Sequence, residues 1–284
     1  MSPLNNLLSV TLEELLYDFS DPIISRALIV GALVSLSSAM LGVILVLKRY
    51  ALIGHGLGEV GFASAALASL IGLGDYSLAL SIPLVCLSSV LIMRLDRKSG
   101  MGGDVLIGIF STAALALGVI ASKLTTGYTG IFNSMFGSVF GLTKGYVWAA
   151  CVLSAVIIAL FVILYNKLFA VTFDETYARA ADMNADGYQF IISLLTSVSV
   201  VLGMKVMGAM MISSFIIFPA LTARKLARSF RGMILWAVAA ALVSFLCGMV
   251  LSYVTDLPTG ACVVSVSLAL MLIVYALSAF RIKK

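Results

Sequence analysis

The sequence predicts an all-α, multi-pass membrane protein with eight or nine transmembrane helices, because of its composition and the length of its apolar stretches. Hydrophobic residues make up 62% of the 284 residues, and charged residues only 11%. A soluble domain has about 45–50% apolar and about 25% charged residues, so this chain has too few polar side chains to cover a water-facing surface. A lipid bilayer is the solvent that suits it. No linker interrupts the pattern, which predicts a single domain over 1–284.

The candidate membrane helices are apolar stretches bounded by charged residues, glycine or proline. A bilayer core about 30 Å thick requires about 20 helical residues. Nine stretches qualify: 26–47, 51–73, 77–95, 103–122, 145–167, 188–204, 207–223, 232–254 and 259–280. Only Lys205 separates the sixth from the seventh, so the sequence allows eight helices as well as nine. The stretch 130–142 is apolar but too short to span, and we predict that it is interfacial or re-entrant.

Lysine and arginine residues predict the orientation of the chain. With nine crossings and an external N-terminus, the cytoplasmic loops contain 14 of the 18 basic residues. Because cytoplasmic loops of membrane proteins are enriched in Lys and Arg, this split favours an external segment 1–25 and a cytoplasmic C-terminus. The net charge of +5 is then explained by loop charges, and no nucleic-acid partner is expected. The four basic residues left outside are Arg26, Lys123, Lys144 and Lys205.

The second apolar stretch contains the only histidine of the chain, His55, and an acid four residues later, Glu59. Residues four apart lie on one face of a helix. An ionisable side chain at membrane depth costs at least about 2.5–3.5 kcal/mol, and it usually faces a bundle interior or a water-filled path. Imidazole nitrogen and carboxylate oxygen are ligands for zinc, manganese and ferrous iron. The pair is therefore a candidate metal site on a transport path.

A structural role for the pair is equally open from these residues alone, because His55 and Glu59 could bond each other or stabilise a helix contact. Glycines at 54, 56, 58 and 61 surround the pair. Small residues let helices approach closely, and they would also leave room for a hydrated ion. A helix break is predicted at Pro219, since proline removes a backbone hydrogen bond and such breaks often line transporter pathways.

The chain lacks a nucleotide-binding motif of the form G-x-x-x-x-G-K-[ST], so it is not expected to be an enzyme. If ATP drives transport, the ATPase is a separate subunit. The longest polar stretch after the N-terminus is 168–187, and the charge count places it in the cytoplasm. We predict that a short helix begins there at Thr172 or Asp174, either of which can cap it.

Several blocks resemble, in the same order, the membrane-spanning permease subunits of bacterial zinc/manganese/iron ABC importers that work with cluster A-I metal-binding proteins. That family commonly has a basic pair followed by L-x-G-D-x-L-S-H-A; here Lys48 and Arg49 precede LIGHGLGEV. His55 occupies the family's Asp position and Glu59 its His position, so one imidazole and one carboxylate remain in reversed order. The other similar blocks are GDVLIGIFSTAALALGV at 103–119, FGSVFGLT at 136–143, VTFDETYARAADMN at 171–184, GAMMISSFIIFPALTARKLA at 208–227 and DLPTGACVV at 256–264.

The resemblance implies a type II ABC importer-like permease in the bacterial plasma membrane, embedded in membrane lipids. We expect a homodimer with a central path to which both copies contribute His55 and Glu59. An extracytoplasmic metal-binding protein would deliver a divalent ion (zinc, manganese or iron), which is cargo, and no permanently bound cofactor is expected. The resemblance also implies that 168–187 couples the permease to an ATP-binding cassette ATPase subunit, through Phe173, Asp174, Glu175 and Arg179.

Other functions remain open on the sequence. An ATP-independent secondary metal transporter or proton-coupled transporter could use His55 and Glu59 as a proton relay. A membrane scaffold could hold the pair for structural reasons. Within the importer class, the cargo could be a metal chelate. Ligand sets of histidine and carboxylate accept several divalent metals, so the sequence does not choose among them.

Overall fold

The computed structural model of the chain describes residues 22–125, 143–209 and 211–282. Within these ranges it has eleven α-helices, a 3₁₀ turn at Gly74–Tyr76 and no strand. The predicted stretch 130–142 and nearly all of the external segment 1–25 lie outside the described residues. The helices are α1 (Pro22–Leu47), α2 (Ile53–Leu70), α3 (Ser77–Ser99), α4 (Gly103–Leu124), α5 (Lys144–Ile163), α6 (Tyr165–Phe173), α7 (Glu175–Ala180), α8 (Ala185–Met207), α9 (Ile212–Leu226), α10 (Phe230–Thr255) and α11 (Thr259–Ile282).

Seven of the described helices are long and apolar enough to cross a bilayer: α1, α3, α4, α5, α8, α10 and α11. The all-α membrane fold is thus confirmed, whereas the predicted count of eight or nine spans is too high by this measure. The two predicted spans that fall short are α9, whose 15 residues extend only about 22 Å, and α2. Helix α2 has 18 residues, and its glycines, His55 and Glu59 make it less apolar than a typical span.

Helices α2 and α9, the two predicted spans that fall short, lie inside the bundle. Helix α2 packs against α3, α4, α8 and α9, and α9 packs against α1, α10 and α11 as well. Thirteen of the 18 residues of α2 are buried, so this helix is surrounded by protein. Because neighbouring helices shield their polar groups and ends from lipid, short and polar helices are tolerated there.

The glycines of α2 lie at its contacts with neighbouring helices. A Cβ atom on Gly58 would lie 2.5 Å from the backbone oxygen of Ala209, and one on Gly56 would lie 2.8 Å from the side chain of Ile107. The prediction that these small residues allow close approach is confirmed, but the space beside them is filled by protein and leaves no room for an ion. Each helical glycine costs roughly 1 kcal/mol relative to alanine, so α2 depends on this packing.

The predicted helix break at Pro219 is not observed, because α9 runs without interruption from Ile212 to Leu226. The chain is interrupted before α9, at Gly208, where a φ of 94° suits glycine. Lys205, which the sequence marks as the turn, is still in α8. Irregular backbone at membrane depth is tolerated where protein buries it, and Ala209 and Ile212 are indeed buried. The predicted span 145–167 is also divided, since α5 ends at Ile163 and α6 begins at Tyr165.

One end of the bundle is rich in basic residues and is called the basic end here. Contacts between segments that are distant in sequence hold this end together. The Nζ atom of Lys48 lies 3.7 Å from the Oε2 atom of Glu175, and the hydroxyl of Tyr50 donates to Asp96 at 2.5 Å. The ends of α1 and α3 therefore meet the start of α7 here. The helix directions place these described basic residues at the basic end: Lys48, Arg49, Arg94, Lys98, Lys167, Arg179, Arg224, Lys225, Arg228 and Arg231. Arg26, Lys123, Lys144 and Lys205 lie toward the opposite end.

Candidate functional site

His55 and Glu59 lie one helical turn apart on α2, as their spacing predicts. The Nε2 atom of His55 is 3.3 Å from the Oε1 atom of Glu59. The Glu59 side chain is only 6% exposed, whereas that of His55 is 40% exposed. The pair thus extends from the interior of the bundle to the surface of the protomer, with the carboxylate inside and the imidazole at the edge.

A third group, Ser111 on α4, completes the surroundings of the carboxylate. Its buried hydroxyl donates to the Oε2 atom of Glu59, while the Oε1 atom faces His55. Sequence reasoning missed this residue. The available signal was its position on the apolar stripe of α4, together with Ile107, Ala114 and Gly118, because that stripe is the buried face of the helix.

The arrangement brings together, in each chain, two side chains of the types that ligate divalent metals. The described residues contain no group of three or more His, Cys, Asp or Glu side chains that could hold a metal ion. A closed zinc site normally has four protein ligands, so His55 and Glu59 form at most half of one. Because His55 is at the protomer surface, the missing ligands can come from outside the chain.

The predicted coupling segment folds into three parts: the end of α6, the short helix α7 and the start of α8. Asp174 caps α7, since its carboxylate accepts a hydrogen bond of 2.8 Å from the backbone nitrogen of Tyr177. This confirms one of the two predicted caps. The other candidate, Thr172, lies within α6, where its hydroxyl donates to the carbonyl oxygen of Leu168.

The charged residues of this segment bond to one another and to α1. Arg179 lies 2.8 Å from Glu175 and 2.7 Å from Asp186, so it joins α7 to the start of α8. Glu175 also faces Lys48, whose side chain is only 8% exposed. Lys48 belongs to the turn that leads into α2. The Lys48–Glu175 ion pair therefore connects the coupling segment to the backbone that precedes His55.

Two large aromatic side chains of the segment face outward at the basic end. Phe173, at the end of α6, is exposed on one side, and its ring centroid lies 5.8 Å from that of Phe230 on the other. Tyr177, on α7, is 66% exposed. The predicted coupling residues are thus brought together, but Glu175 and Arg179 hold the segment in place, whereas Phe173 and Tyr177 form its outer surface.

Comparison with known proteins identifies the family. The profile of the ABC 3 transport family matches residues 20–278. The chain belongs to the ABC 3 transport family. It is therefore an ABC transporter permease and, with seven helices in its described part that are long and apolar enough to cross a bilayer, a multi-pass inner-membrane protein. The resemblance that the sequence blocks indicated is confirmed.

Individual members of the ABC 3 family match along nearly their whole length. The high-affinity zinc uptake system membrane protein ZnuB of Haemophilus influenzae is 29% identical over 260 residues, which cover 91% of this chain and 97% of the relative. The manganese import system permease protein ScaB of Streptococcus gordonii is 24% identical over 258 residues, 91% of each chain. PsaBC from Streptococcus pneumoniae, solved in complex with Fab, has the same fold, with a TM-score of 0.84, 24% identity and coverage of 93% of this chain and 95% of that one.

Proposed function

We propose that this ABC 3 permease imports a divalent metal ion (zinc, manganese or iron) into the cytoplasm, using ATP hydrolysed by a separate ATP-binding cassette subunit. The observation that carries the proposal is the His55–Glu59 pair, two metal ligands on one face of a central helix. Relatives named for zinc uptake and manganese import support the class of cargo. The pairing with an ATPase is supported by the family and by the absence of a nucleotide-binding motif from the sequence.

The direct test of this proposal is to purify the tagged permease from a membrane that also contains its native partners. We expect an ATP-binding cassette subunit to co-purify, and its ATP hydrolysis to rise when a metal-loaded binding protein is added. A permease that is isolated alone and that moves metal in response to a proton gradient would instead support a secondary transporter.

We place two copies of the permease around a central path. Each chain supplies one imidazole and one carboxylate, and two chains on a two-fold axis supply four ligands, the number that a zinc site takes. The exposed edge of His55 is where a second copy would have to approach. An importer must also release its ion, and a site shared between two subunits can be opened by moving one against the other.

Cross-linking tests the position of the second copy. In a chain whose four native cysteines are replaced by serine, His55→Cys is expected to form a disulfide-linked dimer on mild oxidation. Leu235→Cys is the matched control, because Leu235 is exposed on α10, which packs against α1, α9 and α11. A dimer that cross-links at position 235 but not at position 55 would contradict the shared site.

The ATPase is proposed to bind the basic end, at the surface formed by Phe173 and Tyr177. An exposed apolar patch on a polar end of a protein marks an interaction site, and aromatic side chains dominate the energetics of such interfaces. The excess of Lys and Arg supports a cytoplasmic location for this end. The extracytoplasmic metal-binding protein would then deliver the ion at the opposite end.

Tyr177→Ala is expected to weaken ATPase binding, because it removes the most exposed aromatic ring of α7. Hot-spot tyrosines typically contribute 2 kcal/mol or more, about 30-fold in affinity. The measurement is the amount of ATPase retained per permease during purification, with cross-linking from Tyr177→Cys as the positional check. Tyr76→Ala is the control, because Tyr76 is 68% exposed at the opposite end. Equal losses in both variants would argue against this docking surface.

Movement of the docked segment would be transmitted to the metal site through Lys48. The Lys48–Glu175 pair joins α7 to the turn before α2, and the Tyr50–Asp96 hydrogen bond joins the same turn to α3. His55 follows this turn by a few residues, and Ser111 on α4 contacts Glu59 from the other side. A shift of α7 that pulls on Lys48 would therefore move α2 against α4, which changes the distance between the carboxylate and its partners.

A further inference from the structure

A cavity of about 620 Å³ opens toward the opposite end of the bundle, between α3 and α5. Both helices pack against α8, whose Lys205 lines the back wall of the cavity. The hydroxyl of Tyr146 on α5 donates to the carbonyl oxygen of Leu202 on α8 at 2.5 Å, which fixes one side wall to the back wall. The cavity is thus a gap between helices that are fixed to one another, and it is remote from His55 and Glu59.

Lys205 projects into this cavity from the last turn of α8. Its side chain is partly buried. Among the residues that the structure describes, no hydrogen bond or ion pair joins the Lys205 ammonium group to another side chain. None of the lining residues within the described part of the chain is acidic. Cations in membrane segments are normally paired or in contact with water or headgroups, so the ammonium group of Lys205 can accept an anionic headgroup as its partner.

The lining of the cavity changes from polar to apolar along the membrane normal. Ser77 and Thr143, at the first turns of α3 and α5, lie at the same end as Lys205. Ile82 is about 7 Å further along α3, and Leu153 is about 15 Å further along α5. An inorganic anion would occupy only the polar rim, and an acidic protein segment would leave the apolar part empty.

We propose that this cavity binds an anionic phospholipid. The lipid phosphate contacts the ammonium group of Lys205, with the hydroxyls of Ser77 and Thr143 near it, and one acyl chain lies along Ile82 and Leu153. Charge complementarity with Lys205 accounts for binding of the lipid headgroup, and the apolar wall accounts for binding of the acyl chain. This site is independent of the proposed metal transport, and it holds whichever ion the permease carries.

Lipid retention tests the proposal. The purified permease is incubated with dioleoyl phosphatidylglycerol and dioleoyl phosphatidylcholine in equal amounts, and the lipid that remains bound is measured by native mass spectrometry. We expect selective retention of phosphatidylglycerol by the wild type and by Lys205→Arg, and a loss of at least about tenfold in Lys205→Gln, equivalent to about 1.4 kcal/mol. Lys144→Gln is the matched control, because Lys144 is exposed beside the cavity but does not line it.

Two further measurements distinguish binding of a lipid from binding of other anions. Ala149→Leu fills part of the apolar wall and leaves Lys205 in place, so it is expected to lower retention of phosphatidylglycerol as well. Inorganic phosphate at millimolar concentration is expected not to displace the lipid. If phosphate displaces it, or if Ala149→Leu has no effect, the site binds an anion at its rim only. An equal loss in Lys144→Gln would show general attraction to the headgroup. Each of these results would overturn the proposal.

Discussion

Replacing Glu59 with glutamine is expected to reduce metal uptake by at least 10- to 100-fold. The substitution keeps the size of the side chain and one oxygen ligand, but it removes the negative charge that a dication requires. Loss of a group that merely supports a metal ligand typically lowers metal affinity by about 10- to 100-fold, so loss of a ligand charge should have at least this effect. The measurement is the initial rate of uptake of radioactive zinc or manganese into cells or proteoliposomes, over a range of metal concentrations.

His55→Ala is expected to have a similar effect, and the double variant should be little worse than either single one. Removal of either ligand already weakens metal binding strongly, so the effects of removing two ligands that are in contact are not additive. Normal uptake by both single variants would show that the pair is structural and that the ion path lies elsewhere.

Ser111→Ala provides a graded comparison at the same site. Its hydroxyl donates to Glu59 without being a strong metal ligand itself, so we expect a smaller loss, nearer to the lower end of the same range. Thr112→Ala is the matched control, because the Thr112 hydroxyl is exposed and donates to the carbonyl oxygen of Gly108 in its own helix, at 2.8 Å. If Ser111→Ala and Thr112→Ala lower uptake equally, the hydrogen bond to Glu59 has no special role.

The second large effect is expected from Lys48→Met, which removes the charge that connects the coupling segment to the turn before α2. Coupling free energies between sites are typically about 1–3 kcal/mol, or about 5- to 150-fold. The ATPase should remain bound and hydrolyse ATP, while the amount of metal imported per ATP falls at least about fivefold. The measurement is parallel hydrolysis and uptake in the same proteoliposomes.

Two further variants test whether the loss is due to the Lys48–Glu175 pair. Glu175→Gln removes the same ion pair and also the charge that faces Arg179, so it should reduce the ratio at least as much, and adding Lys48→Met to it should cause little further loss. Lys98→Met removes an exposed charge at the same basic end and should leave the ratio unchanged. A normal ratio of metal to ATP in Lys48→Met, with a stable complex, would exclude the ion pair as the connection between ATPase and metal site.

Much of this fold could be predicted from the sequence because a bilayer restricts the possible structures so strongly. Apolar stretches of about 20 residues locate α1, α3, α4, α8, α10 and α11 closely, since only helices satisfy their own backbone in lipid. The pairing of His55 with Glu59 could also be predicted, because it depends only on the four-residue repeat of a helix. Asp174 could be predicted as a cap from its side chain and position.

Other features depend on contacts between distant segments, and the sequence does not show these. Ser111 is 52 residues from Glu59, and Lys48 is 127 residues from Glu175, so no local pattern joins them. Of the two roles predicted for the α2 glycines, only close approach is observed, because whether a glycine leaves a space or admits a neighbour is decided by the facing helix. The predicted number of spans was also too high, because the apolar stretches 51–73 and 207–223 include turn residues that lie outside α2 and α9, and these helices are shorter than predicted.

We propose above that this chain forms the metal path of an ATP-driven importer. The most direct test of this proposal is the accumulation of radioactive zinc or manganese in proteoliposomes that contain the permease and its ATPase, with the metal-loaded binding protein on one side and ATP on the other. We expect uptake that requires ATP and binding protein together and that is lost in Glu59→Gln. Equal uptake without ATP or without the ATPase subunit, or uptake that Glu59→Gln leaves unchanged, would contradict it.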